Sequence, residues 1–195
     1  MHSTPSKYYK EQVQHIAKRD FEKDQIVLLG DCVIENIDMD LYFRGYTIYN
    51  NGISGDQTQF LKDSLYKRAI KYKPRKLFLS IGSNDLAYSN YSVKQIYEEI
   101  VLIVNEIQHR SKETEIYLLT TLPVNIANKS SIDKEAVERI DNFDVNMLNY
   151  YIKNYARRNH IKVVDINKHL KNDFDQLCLD YTTGCNRCRH QIGVI

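Results

Sequence analysis

The chain has 195 residues, 27 Lys and Arg against 25 Asp and Glu, 43% hydrophobic residues, 7 Gly and 3 Pro. This length suits one domain with a substantial core, and the ordinary apolar content with few Gly and Pro excludes collagen-like, low-complexity and disordered chains. No apolar run approaches the roughly 18 residues of a membrane span, and the first residues lack the apolar segment of an export signal. We therefore expect one domain over residues 1–195 in a cytoplasmic protein.

Short apolar segments alternate with longer amphipathic segments along the chain. The predicted strands cover residues 25–29, 46–49, 76–81, 115–121 and 161–165. The predicted helices cover residues 7–18, 56–71, 93–109 and 133–158, and the last is long enough to be bent or broken. This alternation predicts an α/β fold, in which a doubly wound parallel sheet has helices on both faces.

Side-chain patterns also predict which parts of these helices face the core. Ser92 is the expected N-cap of the helix over 93–109, whose apolar residues recur every three or four positions. In the helix over 133–158 the same spacing predicts an inward stripe of Val137, Ile140, Phe143, Met147 and Tyr151. The basic residues between positions 67 and 76 are interpreted as a solvated face rather than as a nucleic-acid patch.

Ligands of doubly wound sheets bind outside the carboxyl ends of the strands. The first such turn reads Gly30-Asp31-Cys32, a tight turn that brings a nucleophilic side chain to the start of a helix. The positive end of a helix favours a thiolate over a thiol. The alternative interpretation is a small buried Cys that closes the turn, since free Cys is often buried.

The next two turns also combine glycine with polar side chains. Residues 51–56 read Asn-Gly-Ile-Ser-Gly-Asp, and residues 82–85 read Gly-Ser-Asn-Asp. The N–H groups beside Gly55 are unobstructed and suit an oxyanion or a phosphate, and Asn84 offers an amide donor. The alternatives are an ordinary βα turn at Gly55 and an Asx turn or helix cap at Asn84. Three such turns on one edge of the sheet indicate a site.

These three segments resemble the SGNH (GDSL-type) hydrolase family. That family has a Ser nucleophile in Gly-Asp-Ser, an oxyanion-binding Gly, an oxyanion-binding Asn in Gly-x-Asn-Asp, and a His in Asp-x-x-His near the C-terminus. The similarity follows order and spacing over about residues 25–183 and includes the segment 119–125. It implies a flavodoxin-like, five-stranded SGNH hydrolase fold and an ester hydrolase that needs no cofactor. The implied substrate is a small acyl or acetyl ester or an acylated glycan.

The resemblance also implies the roles of individual residues. The nucleophile falls on Cys32, and the oxyanion hole falls on the Cys32 N–H, the Gly55 N–H and the Asn84 amide. A thiolate is the better nucleophile at neutral pH, but its larger sulfur displaces a carbonyl from a hole built for oxygen. A native thiol enzyme, an impaired enzyme and an inactive relative are all compatible with Cys32.

The last twelve residues, 184–195, depart from the family pattern and form an atypical tail. The Asp and His of the family's last block fall on Gly184 and Arg187. His190 is therefore the candidate base, and Asp180 is its candidate partner. Triad enzymes that lack the orienting acid lose several orders of magnitude in rate. A reading-frame change near codon 184 and genuine divergence both account for this tail.

Two other functions remain as alternatives. A catalytically inactive SGNH-fold protein would bind an acylated or glycan ligand in the same cleft. A zinc site would use Cys178, Cys185, Cys188 and His190, although only one Cys-x-x-Cys pair is present and the other spacings fit no common ligand pattern. A redox Cys-x-x-Cys is the weakest alternative, because that motif normally follows an early strand. Neither a nucleic-acid partner nor a resident metal is expected.

Overall fold

The computed structural model describes residues 4–125 and 134–178. Five strands form one sheet in the order β2-β1-β3-β4-β5, and all neighbouring strands are parallel. The strands are β1 (Ile26–Gly30), β2 (Ile48–Gly52), β3 (Lys76–Ser80), β4 (Glu115–Leu119) and β5 (Lys162–Val164). The predicted five-stranded, doubly wound α/β fold is confirmed.

The helices pack on both faces of this sheet. They are α1 (Lys7–Lys18), α2 (Cys32–Glu35), α3 (Met39–Tyr42), α4 (Thr58–Arg68), α5 (Ser83–Tyr88), α6 (Val93–Arg110), α7 (Lys134–Arg139), α8 (Asn142–Arg158) and α9 (Ile166–Leu170). A 3₁₀ turn over Ile70–Tyr72 follows α4. Within the described ranges, no helix is both long enough and apolar enough to cross a membrane.

Two hydrophobic clusters cover the two faces, because successive strand residues point to opposite sides of the sheet. Val27 and Leu29 of β1 belong to the larger cluster, which α1, α4, α6 and α8 complete. Leu28 belongs to the smaller cluster, to which α2 and α9 contribute. The central strand β1 is therefore buried on both sides, as expected for a strand in a doubly wound sheet.

Strand register brings the three expected turns to the same level. Gly30, the last residue of β1, lies opposite Gly52 of β2 and Ser80 of β3. Because the strands are parallel, the turns that follow these three residues emerge together at one edge.

Strand β2 ends at Gly52, later than predicted. The prediction ended too early because the last residues of the strand are polar. Asn50 and Asn51 resemble turn residues, yet they pair with Leu28 and Leu29 of β1. Their side-chain amides donate to buried carbonyls, Asn50 Nδ2 to Ile34 O at 2.7 Å and Asn51 Nδ2 to the α4 backbone. These hydrogen bonds allow two asparagines to lie inside a strand.

The N-terminal helix and the cap of α6 agree with the sequence predictions. Helix α1 has the predicted bounds, and Ser92 forms a capping box with Gln95 at the start of α6. The long helix predicted over 133–158 is broken, and α8 begins anew with Asp141 as its N-cap.

The inward stripe predicted for that segment is wrong. Phe143 is 66% exposed, whereas the buried residues of α8 are Val145, Leu148, Asn149, Ile152 and Ala156. The prediction followed the largest apolar side chains. The buried face instead contains Asn149, which accepts from the Thr121 N–H at 2.7 Å and donates to the Thr121 carbonyl at 2.9 Å.

Candidate active site

The first turn carries Cys32 as the first residue of α2. Gly30 has a φ of +152°, and a Cβ at this position would lie 1.9 Å from the Ser80 carbonyl oxygen. Only glycine allows β1 and β3 to approach so closely at the point where the chain turns. Asp31 then caps α2 by accepting from the Val33 N–H at 2.9 Å. Cys32 is 8% exposed.

The second turn carries Gly55 between β2 and α4. Gly55 has a φ of +79°, and a Cβ there would meet no atom within 4 Å. Its N–H donates to no residue in the described ranges. The preceding Ser54 is anchored, because its N–H donates to Glu35 Oε2 at 2.9 Å. Among the described residues, the Gly55 N–H is therefore a donor without an acceptor, in a loop that is anchored through Ser54.

The third turn carries Asn84 near the start of α5 and connects to both other turns. Asn84 Nδ2 donates to the Asp56 carbonyl at 3.0 Å, directly after Gly55 in the chain. The Ser83 hydroxyl donates to the Asp31 carboxylate, directly before Cys32. The first and second turns are also joined, since the Ile53 N–H donates to the Gly30 carbonyl at 2.9 Å. Hydrogen bonds thus bring together the turns of Cys32, Gly55 and Asn84.

A buried arginine lies beneath these turns, and the sequence interpretation missed it. The sequence pattern predicts that Arg68 belongs to a solvated basic face, but its side chain is fully buried. It forms an ion pair with Asp56 at 2.6 Å and donates to backbone carbonyls of β1 and β2. One sequence signal was available, since Arg68 continues the helical spacing of the buried residues Leu61 and Leu65.

Three buried carboxyl groups surround this arginine and the turns. Burial raises the pKa of Asp31, against the hydrogen bond from Ser83. Burial also raises the pKa of Asp56 to about 7, although Arg68 lowers it. The pKa of Asp85 rises to about 6 for the same reason, although Thr58 lowers it through hydrogen bonds. Desolvation of the charged form is therefore the dominant electrostatic effect under the site.

The candidate base and the tail lie outside the described residues. The residues concerned are Asp180, His190, and the remaining zinc candidates Cys185 and Cys188. The described chain ends at Cys178, near the carboxyl end of β4, where Asn125 Nδ2 donates to the Leu177 carbonyl at 2.8 Å. Residues 4–125 and 134–178 contain no cluster of three potential metal ligands.

One protein-family model matches most of this chain. The model of the GDSL-like lipase/acylhydrolase family matches residues 37–185, which is more than half of the chain. The chain belongs to the GDSL-like lipase/acylhydrolase family. This is a family of ester hydrolases, and the matched range contains Gly55 and Asn84 but begins after Cys32.

Solved structures share the fold of this chain. A structure named as a candidate platelet activating factor from Streptococcus pneumonia is 27% identical, with a TM-score of 0.79 over 91% of this chain and 83% of that chain. A candidate acylhydrolase from Bacteroides fragilis is 18% identical, with a TM-score of 0.77 over 95% and 90% of the two chains. A GDSL-like lipase from Bacteroides thetaiotaomicron is 18% identical, with a TM-score of 0.73 over 90% and 86%. No curated protein matches the chain.

Proposed function

We propose that this protein hydrolyses carboxylic esters through a thioester intermediate on Cys32. The observation that carries this proposal is the hydrogen-bonded assembly of three turns, which brings a thiol, a side-chain amide and an unused backbone N–H to one edge of the sheet. Nucleophilic acyl transfer requires these groups, since the nucleophile attacks the carbonyl carbon while donors stabilise the oxyanion.

In the proposed reaction, a base takes the Cys32 proton and the sulfur attacks the acyl carbon. The carbonyl oxygen becomes an oxyanion, which accepts from the Cys32 N–H, the Gly55 N–H and the Asn84 amide. The C–O bond of the ester then breaks, and the alcohol leaves with the proton held by the base. Water attacks the thioester in the same way, which releases the carboxylic acid and restores the thiol.

We assign the base to His190, with Asp180 as its orienting acid. The chain at Cys178 lies at the same sheet edge as the three turns, because the Leu177 N–H donates to the Val124 carbonyl at 3.3 Å just beyond β4. An imidazole is the usual base for a thiol nucleophile, and its acid partner fixes which ring nitrogen carries the proton.

The proposed substrate is a small acyl or acetyl ester, or an acylated glycan. This proposal follows from the family and from the names of similar structures, which include an acylhydrolase and a lipase. No cofactor is needed, because the proposed chemistry uses only side-chain and backbone groups.

A catalytically inactive relative that binds an acylated or glycan ligand in the same cleft is the second candidate. Two observations favour it. The resemblance places Cys32 where the family has Ser, and Cys32 is only 8% exposed. A buried thiol in a hole built for oxygen would bind an ester without attacking it efficiently.

Hydrolysis of an aryl acetate separates these two functions. Cys32→Ala should abolish turnover, whereas Cys32→Ser should retain or raise it by restoring the family's oxygen nucleophile. Cys178→Ala is the matched control, because it removes a described thiol at a distance in sequence from the three turns. The enzyme proposal fails if no form turns over, including one with a restored Asp-x-x-His block.

A further inference from the structure

The Arg68 side chain contacts two of the three turns directly. Nη2 donates to the Gly30 carbonyl at 2.9 Å and to the Asn51 carbonyl at 2.8 Å. Nε donates to the same Asn51 carbonyl at 3.2 Å, and Nη1 donates to Asp56 Oδ2 at 2.6 Å. One guanidinium therefore connects the end of β1, the end of β2 and the residue after Gly55.

Asp56 links Arg68 to two of the proposed oxyanion donors. Its carboxylate is held by Arg68, while its backbone carbonyl accepts from Asn84 Nδ2 at 3.0 Å. Its peptide N–H donates to the Ile53 carbonyl at 3.1 Å, which closes the turn around Gly55. Displacement of the Asp56 side chain would therefore move the Gly55 N–H and the Asn84 amide together.

Gly30 links Arg68 to the third proposed donor, the Cys32 N–H. Its carbonyl accepts from Arg68 Nη2 and from the Ile53 N–H, both at 2.9 Å. The next two residues are Asp31 and Cys32, so this carbonyl fixes the start of the turn that presents the nucleophile. The same guanidinium thus restrains both sides of the proposed hole.

We infer that Arg68 is a positioning residue that sets the geometry of the oxyanion hole by holding Gly30, Asn51 and Asp56 in fixed relation. This inference rests on the proposed function, since it concerns the hole in which the ester carbonyl would be bound. Arg68 itself is fully buried and is assigned no contact with the substrate.

The type of side chain supports a geometric role. A planar guanidinium directs several N–H groups in fixed directions, whereas the ammonium group of lysine is a single point on a flexible stem. Lysine at position 68 would reach Asp56 or the two carbonyls, but not hold all three with the same geometry.

Stability alone is a weak reason for this arrangement. A buried ion pair must offset the desolvation of two charges, and well-packed apolar residues often replace such pairs without loss of stability. The Arg68–Asp56 pair is completely buried at both ends. Its contacts with the turns, rather than its net stabilisation, explain why a charged residue occupies this position.

The test compares Arg68→Lys with Leu65→Ala. Leu65 is a buried residue of the same helix, and its truncation destabilises the core without removing a side-chain hydrogen bond to the turns. Both variants are assayed with an aryl acetate, and kcat is expressed per folded molecule, with the folded fraction of each variant taken from urea unfolding. Arg68→Lys should lower kcat about 10- to 100-fold with KM close to wild type, because misplaced donors weaken transition-state binding.

Leu65→Ala should reduce the folded fraction while its kcat per folded molecule stays close to wild type. The inference is overturned if Arg68→Lys retains wild-type kcat, or if Leu65→Ala shows the same loss. If Arg68→Lys does not fold, Asp56→Asn replaces it, because the inference routes the effect of Arg68 through that carboxylate. A folded Asp56→Asn with wild-type kcat also overturns it.

Amide NMR spectra separate this inference from the proposed function. In ¹⁵N-labelled Arg68→Lys, the Gly55 backbone signal and the Asn84 side-chain signals should shift, while the signal of Ile107 in the distant core should not. If the wild type hydrolyses no ester, the proposed function fails, and these spectra still decide the inference. Unchanged Gly55 and Asn84 signals in the variant would refute a positioning role.

Discussion

Asp85 caps a helix to which it does not belong. Its carboxylate accepts from the Thr58 N–H at 3.1 Å and from the Thr58 hydroxyl at 2.6 Å, and Thr58 is the first residue of α4. The residue before Thr58, Gln57, provides no side-chain cap of its own. The third turn therefore supplies the cap for the helix that follows the second turn, and this fixes the two turns relative to each other.

The burial of Asp85 predicts a pH-dependent stability. Burial raises the pKa of Asp85 from 3.8 to about 6, so the folded protein holds this proton more tightly than the unfolded chain. The contribution of Asp85 to the free energy of unfolding should then fall as pH rises from about 4 to 6, by at most about 3 kcal/mol. Asp85→Asn should flatten the pH profile measured by urea unfolding.

The matched control for this prediction is Asp63→Asn, which changes an exposed carboxyl on the same helix. Asp56 also has a raised pKa, so the relevant quantity is the difference between the wild-type and Asp85→Asn profiles. Parallel profiles for these two proteins would contradict the prediction.

Gly30→Ala should prevent normal folding of the first turn. The new Cβ would lie 1.9 Å from the Ser80 carbonyl, in a conformation that also disfavours any side chain. We expect a loss of more than about 3 kcal/mol in unfolding free energy, since both strands would have to separate. Gly45→Ala is the control, because Gly45 has a φ of +87° but no neighbouring atom within 4 Å of the added Cβ.

The control should lose only about 1 kcal/mol, which is the cost of a left-handed conformation without a clash. Urea unfolding of both variants checks this prediction. Equal losses for Gly30→Ala and Gly45→Ala would show that steric contact with β3 is unimportant.

Asn84→Ala should reduce the rate of ester hydrolysis and leave substrate binding largely unchanged. It removes one proposed oxyanion donor, and such losses lower kcat about 10²- to 10³-fold. Steady-state kinetics on an aryl acetate measures kcat and KM separately. Asn90→Ala, an exposed asparagine just beyond α5, should behave as wild type. A change confined to KM would assign Asn84 to substrate binding instead.

His190→Ala should lower kcat and remove the imidazole-dependent limb from the pH–rate profile. The expected reason is that a thiol without a nearby base is mostly protonated at neutral pH. His169→Ala is the control, because His169 is an exposed residue of α9. If both variants keep the wild-type profile, His190 is not the base.

Much of the fold was accessible from local patterns. The five strands, helix α1 and the Ser92 cap were predicted because hydrophobic periodicity and capping residues act over a few positions. The three turns were found for a related reason, since glycine and polar residues after buried strands mark the carboxyl edge of a parallel sheet. The family resemblance then supplied roles for Cys32, Gly55 and Asn84, and these roles remain predictions.

The break before α8 was anticipated, but the buried face of that helix was not. Side-chain size favoured Phe143, whereas packing selected a face that contains Asn149. The decisive partner was the backbone of Thr121, which lies 28 positions away in the chain. Local spacing contains no information about such a partner.

By itself, the sequence determined the order of the five strands and of the longer helices, together with the presence of three polar turns, because these depend on patterns within short segments. Only the tertiary structure decided that Arg68 is buried and that Asp85 caps α4. Both facts require partners from separate segments, namely Gly30, Asn51 and Asp56 for the arginine and Thr58 for the aspartate. A charged side chain is buried only where the fold collects enough hydrogen-bond partners around it, and that collection exists only after the strands have aligned.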